Sequence, residues 1–271
     1  MPELPEVETT RRGLLPHVVG QRIRDVVVRN GALRWPVPRD LKRRLAGGRV
    51  LDIRRRGKYL LFDTEDGRLL VHLGMSGKLC LVPEATPPRA HDHVDLQLED
   101  HRTVRLTDPR RFGAVLWLPK GAKEHPLLQG LGVEPFDAEF NAAAMRKLAH
   151  GRRVAIKQFL MNSRIVTGIG NIYASEALWA AKVHPTRAAG SLSLARWELL
   201  VAACRETLER ALAAGGSTLR DFAHADGRSG EFQASFSVYD RQGKPCPRCG
   251  TAIRQVTQGQ RSTFYCPGCQ R

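Results

Sequence analysis

The spacing of the apolar residues changes once along the chain, and that change limits the possible folds more than any other feature. Over roughly the first 120 residues they alternate with polar ones in "RIRDVVVRN", "RVLDIRRRGKYLLFDTEDGRLLVHLGMSG" and "HVDLQLEDHRTVRLTDPRRFGAVLWL". That is the repeat of a strand with one buried face. Asp66-Gly67 is a hairpin signal. Val94, Leu96 and Leu98 share one face, and Val104 and Leu106 return along it. With only a short helix near residues 5–17, the first half reads as a β-sandwich or β-barrel-like module. From about Asn141 the spacing becomes i, i+3, i+4 in "NAAAMRKLAHGRRVAIKQFLM", "NIYASEALWAAKV" and "SLARWELLVAACRETLERALAAG", which predicts helices. Pro135 and "EPFDAEF" form the linker. After Gly215, "HADGRSGEFQASFS" is small and polar, a lid or a disordered segment.

The 271 residues are enough for two domains with a core. Forty-three Lys and Arg against 27 Asp and Glu leave a formal charge of +16. Such an excess opposes compaction unless an anionic partner offsets it, so nucleic acid ranks first as a partner and an acidic membrane second, with a merely solvated Arg-rich surface well below nucleic acid. No apolar run approaches a membrane span. Acids stand where a secretory signal has a basic and then an apolar segment, so the expected location is the cytoplasm. Cys80 and Cys204 then read as small buried hydrophobes.

The other four cysteines read C-x2-C, sixteen residues, C-x2-C, from Cys246 to Cys269. Each C-x-x-C turn supplies two soft ligands, and two such knuckles at the ends of a short hairpin complete a tetrahedral zinc site with Cys246, Cys249, Cys266 and Cys269. A segment this short cannot build much of a core, so the metal supplies its folding energy. Arg254 and Arg261 project from the hairpin, either as a DNA clamp or as plain solvated groups on a structural finger.

At the front, "MPELPEVETT" places proline behind the initiator methionine and three carboxylates within eight residues. Methionine is usually trimmed before a small residue, which would leave Pro2 as a secondary amine. An α-amino group is about 10–20% neutral at pH 7 and an ordinary lysine about 0.04%, a several-hundredfold difference in available lone pair. A terminal amine can therefore attack an aldehyde-like carbon without a deeply buried lysine. Pro5 suits a first helical turn, whose dipole disfavours an ammonium, while Glu6 and Glu8 oppose that effect. Taken alone, these residues favour the plainer arrangement, in which Pro2 starts the chain and the acids cap a helix.

"PELPEVET", "RRRGKYLL", "HLGMSG", "HDHVDL", "TDPRRFGA", "GIGNIYASEAL" and the terminal four-cysteine finger resemble, in order and across essentially the whole chain, the blocks of the formamidopyrimidine-DNA glycosylase family, bifunctional enzymes of base-excision repair. The resemblance implies an α+β chain: an N-terminal β-sandwich catalytic domain with flanking helices (1–134), a helical DNA-binding domain with a helix–two-turn–helix element (135–236) and a zinc-ribbon finger (237–271). It also implies one structural zinc, no organic cofactor, no membrane, and a monomer acting on double-stranded DNA with oxidised bases. The substrates would be 8-oxoguanine and formamidopyrimidines; the rivals are the sister class for oxidised pyrimidines and a non-enzymatic damage-binding protein.

By the same resemblance Pro2 is the nucleophile at C1′, Glu3 the adjacent acid and base, and Glu6 a positioning carboxylate. Lys58 moves protons in β-elimination and Arg261 serves δ-elimination, mainly by holding phosphate. Met75, Arg111 and Phe112 fill the void left by the extruded base, and Arg110 is a phosphate or other DNA contact. His91, Arg152 and Lys157 match DNA-contacting positions. "GIGN" is not a dinucleotide fingerprint, because Tyr173 stands at the third glycine; it resembles the turn whose N–H groups, with Asn171, grip phosphates. The "DGRSGEFQ" stretch around Arg228 and Gly230 resembles the loop over the flipped base. One departure stands out: Asn162 replaces the acid usual in the "LMD" segment, a lost charge that could alter the turn.

Overall fold

The computed structural model describes residues 2–217 and 232–271. The "DGRSGEFQ" stretch, with Arg228 and Gly230, lies almost wholly outside them. Two compact units divide the described residues: 2–129 with 214–217 and 232–233, and 130–213 with 234–271.

The first unit contains α1 (Leu4–Val18), β1 (Ile23–Val28), α2 (Leu41–Leu45), β2 (Val50–Arg56), β3 (Tyr59–Thr64), β4 (Gly67–His72), β5 (Lys78–Pro83), β6 (Asp92–Leu98), β7 (Arg102–Thr107) and β8 (Ala114–Pro119). The strands form two four-stranded antiparallel sheets, ordered β1-β6-β7-β5 and β2-β3-β4-β8. Apolar residues from both sheets and from α1 and α2 share one core, which includes Leu14, Ile53, Phe62, Val71, Leu96 and Val104. That is a β-sandwich. Val94 pairs with Leu106 and Leu96 with Val104, as the alternation requires.

The other face of β6 and β7 is also buried. Asp95 accepts two hydrogen bonds from Arg105, both 2.9 Å, and one from Arg29 at 2.6 Å. Burial would raise the Asp95 carboxyl, but the bonds and charges of these arginines outweigh it and hold the group below the usual carboxylate range. Asp95→Asn is expected to destabilise the protein by about 3 kcal/mol, since it takes from the buried Arg105 guanidinium its bidentate anion and leaves only Asp92, at 3.7 Å. Because the folded pKa is depressed, the contribution of Asp95 is present above about pH 4 and fades on acidification below it. Urea unfolding of both proteins at pH 7 and pH 3 checks this; equal stability at pH 7 would reject the ion-pair account.

The second unit contains α3 (Ala142–Ala149), α4 (Ile156–Leu160), α5 (Asn171–Ala180), α6 (Leu194–Ala213) and the hairpin β9 (Arg254–Gln258) and β10 (Arg261–Tyr265). Asn141 caps α3 by accepting the Ala144 N–H at 2.9 Å. The long helical pattern predicted from Asn141 splits here: Gly151 turns at φ +71°, and helix resumes only at Ile156. Trp197 is fully buried against Phe159, ring centroids 5.6 Å apart. Cys204 is buried too, which pushes its thiol up to about 12, whereas Cys80 is half-buried rather than internal. No helix among the described residues is long and apolar enough to cross a membrane.

Candidate active site and metal centre

Glu3 is the N-cap of α1, in extended backbone, and Pro5 sits in the first turn where its missing N–H costs nothing. The Glu3 carboxylate accepts the Glu6 N–H, and the Glu6 carboxylate accepts the Glu3 N–H at 2.8 Å. The second Glu6 oxygen accepts the Ser217 N–H at 2.8 Å and its hydroxyl at 2.9 Å. Gly216, at φ +83°, leaves room for this approach, since a Cβ there would meet Glu6 Oε1 at 3.2 Å. Pro2, Glu3 and Glu6 are all buried. Pro2 thus directly precedes a rigid, acid-rimmed helix end.

Glu8, one turn on, binds Arg11, Arg12 and Arg55. Burial would raise its carboxyl, but those arginines prevail and lower it. The bond to Arg55 fastens α1 to β2. Lys58 occupies the β2–β3 turn after Gly57 (φ +57°) and is half-buried.

The void-filling candidates come from two adjoining loops. Met75 and Phe112 are large apolar side chains left 39% and 40% exposed. Arg110 and Arg111 are exposed beside them, and the Arg110 guanidinium lies 4.8 Å from the Phe112 ring centroid. Burial, with the charges of Lys58 and Arg34, pushes His72 down to about 4, so its ring is neutral and Nδ1 accepts the Gly74 N–H at 3.1 Å. His91 is exposed directly before β6.

In the second unit Gly170 is the N-cap of α5 and Asn171 its first residue. The Asn171 side chain faces inward: Oδ1 accepts from Lys157 Nζ at 2.7 Å, and Nδ2 donates to the Ser262 carbonyl at 3.0 Å. Lys157, read from sequence as a DNA contact, is 1% exposed. Its ammonium donates to Asn171, to the Ser262 carbonyl at 3.2 Å and to Thr263 Oγ1 at 2.8 Å. Any part it takes in gripping DNA therefore passes through the glycine turn and the hairpin it ties together. Arg152 and Arg261 are exposed, the latter at the start of β10. Asn162 Oδ1 accepts the Arg164 N–H at 3.0 Å, a turn hydrogen bond made by a neutral amide.

The four cysteine sulfurs lie within 4.8 Å of one another, with Cys246–Cys269 at 3.9 Å and Cys249–Cys266 at 3.4 Å. Four thiolates 2.3 Å from a zinc ion stand about 3.8 Å apart, so the residues fit one structural zinc. The Thr251 hydroxyl and N–H hold the Cys249 thiol down to about 6, while burial and its thiol neighbours push Cys269 up to about 12; binding therefore releases protons. The Trp179 indole N–H donates to Cys246 Sγ at 3.4 Å, and Arg248 stacks 4.2 Å from the centroid of the same ring. Glu176, buried in α5, accepts the N–H groups of Ser237, Val238 and Tyr239, which lead into the finger.

Sequence reasoning passed over Trp179, Glu176, His72 and Asp108. "TDPRRFG" contains Asp108 and "ASEAL" contains Glu176, so a carboxylate lodged in an otherwise apolar or glycine-bounded motif was the available signal.

A β-sandwich, a helical unit turning on glycines and a four-cysteine finger are together the parts of a zinc-finger DNA glycosylase. Residues 1–115 match the formamidopyrimidine-DNA glycosylase N-terminal domain, 131–223 its H2TH domain, and 243–271 the zinc finger found in FPG and IleRS. The formamidopyrimidine-DNA glycosylases of Cupriavidus pinatubonensis and Methylococcus capsulatus are 57% and 54% identical, over 100% of both chains. Among solved structures, a Lactococcus lactis FPG point mutant bound to DNA containing Fapy-dG superposes with a TM-score of 0.92 at 34% identity, over 100% of both chains. The MutM (FPG) protein of Thermus thermophilus gives 0.89 at 40% identity, over 99% of this chain and 98% of that one. This chain belongs to the formamidopyrimidine-DNA glycosylase family, base-excision repair DNA glycosylases for which an AP lyase activity is typical.

Proposed function

We propose that the enzyme excises oxidised purines, 8-oxoguanine and formamidopyrimidines, from duplex DNA through the amine of Pro2 and then cuts the strand by β- and δ-elimination. The observation that carries this reading is the buried carboxylate pair at the head of α1, fixed by reciprocal backbone bonds directly behind Pro2.

The neutral Pro2 nitrogen attacks C1′, the N-glycosidic bond breaks, and the base leaves with its electron pair and takes up a proton. Glu3 protonates the opening sugar oxygen as an iminium forms between Pro2 and C1′. Loss of a C2′ proton then expels the 3′ phosphate, with Lys58 in proton transfer; a second elimination expels the 5′ phosphate, held by Arg261. Met75, Arg111 and Phe112 occupy the vacated stack, with arginine donating to the widowed base. Arg110, His91, Arg152, Asn171 and, through Asn171, Lys157 hold the backbone. In this scheme residues 1–134 carry the chemistry, while 135–236 and 237–271 grip the duplex. The place of work is the cytoplasm, on the chromosome.

Lactococcus lactis FPG has also been crystallised on DNA containing an oxidised pyrimidine, so the lesion preference needs its own test. Single-turnover excision of 8-oxoguanine opposite cytosine should exceed that of thymine glycol by at least about tenfold; the reverse order assigns the chain to pyrimidine repair. Affinity for lesion duplex should also fall with salt, log Kd changing by about 0.9 per phosphate contact for each unit of log salt. A flat dependence rejects the phosphate grip.

A further inference from the structure

Asp108 lies beneath the two void-filling loops with no exposed surface. Its carboxylate holds both. Oδ1 accepts from the hydroxyl of Ser76, next to Met75, at 3.1 Å, and Oδ2 accepts from the N–H of Gly113, next to Phe112, at 2.8 Å. The Ser76 oxygen in turn accepts the Arg110 N–H at 3.3 Å. The main chain of Asp108 repeats the pattern: its carbonyl accepts the Arg111 N–H at 3.1 Å and faces His93 Nε2 at 2.9 Å, and its N–H donates to the His91 carbonyl at 3.0 Å.

We infer that Asp108 is a positioning residue that joins the Met75 loop and the Arg110-Arg111-Phe112 loop into one preformed wedge.

Three further observations support this. The loops meet backbone to backbone: a Cβ on Gly74, at φ +65°, would lie 2.5 Å from the Phe112 carbonyl carbon, and one on Gly113 would lie 2.7 Å from the His72 oxygen. Neither loop can shift alone through so close a contact. Arg111 sits at φ +56°, a left-handed conformation that a residue with a side chain rarely adopts. It is pinned there from both sides, by the bond to Asp108 and by the Arg34 N–H, which donates to the Arg111 carbonyl at 2.8 Å. An exposed wedge that must displace a stacked base gains from being ordered beforehand, since ordering on contact would subtract from the work of insertion. A carboxylate suits the junction because it offers two acceptors to two donors on different segments.

The inference rests on Met75 and Phe112 being the wedge, so the test measures that separately. Asp108→Asn keeps the shape but replaces one acceptor with a donor group. Single-turnover excision of 8-oxoguanine opposite cytosine is measured for the wild type, Met75→Ala/Phe112→Ala, Asp108→Asn and the combination, with thermal melting alongside. Asp108→Asn is expected to slow excision by about tenfold or more, and by at most about twofold once the wedge side chains are gone, because residues acting as a unit are not additive. Nicking at a preformed abasic site, where no base needs displacing, should suffer at least about threefold less than excision does. Ser76→Ala, which removes the Ser76 link to Asp108 and to the Arg110 N–H but leaves the Gly113 bond in place, should give an intermediate loss. An equal Asp108→Asn penalty in both backgrounds overturns the coupling, as does excision unchanged by Asp108→Asn. If Met75→Ala/Phe112→Ala itself leaves excision unchanged, the wedge assignment fails instead. If Asp108→Asn melts too low to assay, Ser76→Ala in the same cycle decides.

Discussion

A protein carrying an uncleavable extension ahead of Pro2 should form no borohydride-stable adduct with an 8-oxoguanine duplex, while the untagged protein is trapped covalently. The extension turns an amine into an amide, and an amide nitrogen has no lone pair to give. Excision should fall by at least about a hundredfold, the scale set by the several-hundredfold advantage in neutral amine that a chain terminus holds over a lysine. Binding should change far less, because Pro2 lies outside the helix and the cap is made by Glu3 and Glu6. Glu3→Gln separates chemistry from architecture: glutamine still accepts the Glu6 N–H but cannot deliver a proton, so activity should drop by about a hundredfold or more with little change in melting temperature. Mass spectrometry of the active, untagged protein supplies the decisive control. Full activity in molecules that retain Met1 would refute the amine mechanism.

How much of this could be read in advance varied with the range of the interactions involved. Strand alternation is local, and it located Val94, Leu96, Leu98, Val104 and Leu106 on one face of β6 and β7, as the register has them. Cysteine spacing is equally local, and the four sulfurs converge. The helix break at Gly151 escaped the pattern because alanine-rich spacing runs on across a glycine that costs only about 1 kcal/mol in a helix; only the backbone shows it at φ +71°. The burial of Lys157 escaped notice for a different reason. In "RRVAIKQFL" it looks like one more surface cation, yet its acceptors include the carbonyl of Ser262 and the hydroxyl of Thr263, more than a hundred residues away. Asp108 was hidden by its neighbours: beside two arginines a carboxylate reads as their salt-bridge partner, whereas its side chain bonds to a serine hydroxyl and a glycine N–H. Local periodicity reports which face is apolar. Which polar group is locked inside depends on contacts that sequence distance conceals.

Removal of zinc by a chelator should unfold the finger and sharply weaken DNA binding, while the β-sandwich keeps its own unfolding transition. Among the described residues, the finger's buried apolar cluster comprises Val238, Ile253 and Phe264 with Cys246 and Cys266, and Trp179 and Tyr239 pack half-buried against it. At about 1.5–3 kcal/mol per buried side chain, that cannot offset about 1–2 kcal/mol of backbone ordering for each residue of the segment. Zinc binding to four thiolates, about 10–16 kcal/mol in small fingers at neutral pH, supplies the difference. The damage should extend into the helical unit. Melting β10 takes Ser262 and Thr263 from the Lys157 ammonium and the Ser262 carbonyl from Asn171, so the hydrogen bonds that tie α4 and the start of α5 to the hairpin are lost with it. Amide exchange should therefore quicken in α4 and at the start of α5 as well as in β9 and β10. Trp179→Phe offers a graded version: it deletes only the indole N–H that meets Cys246, and loss of such an outer hydrogen bond should weaken zinc retention by about tenfold with the finger still folded at saturating metal. A chelated protein that kept both its hairpin protection and its affinity for lesion duplex would show that the packing around Phe264, and not the metal, holds the finger together.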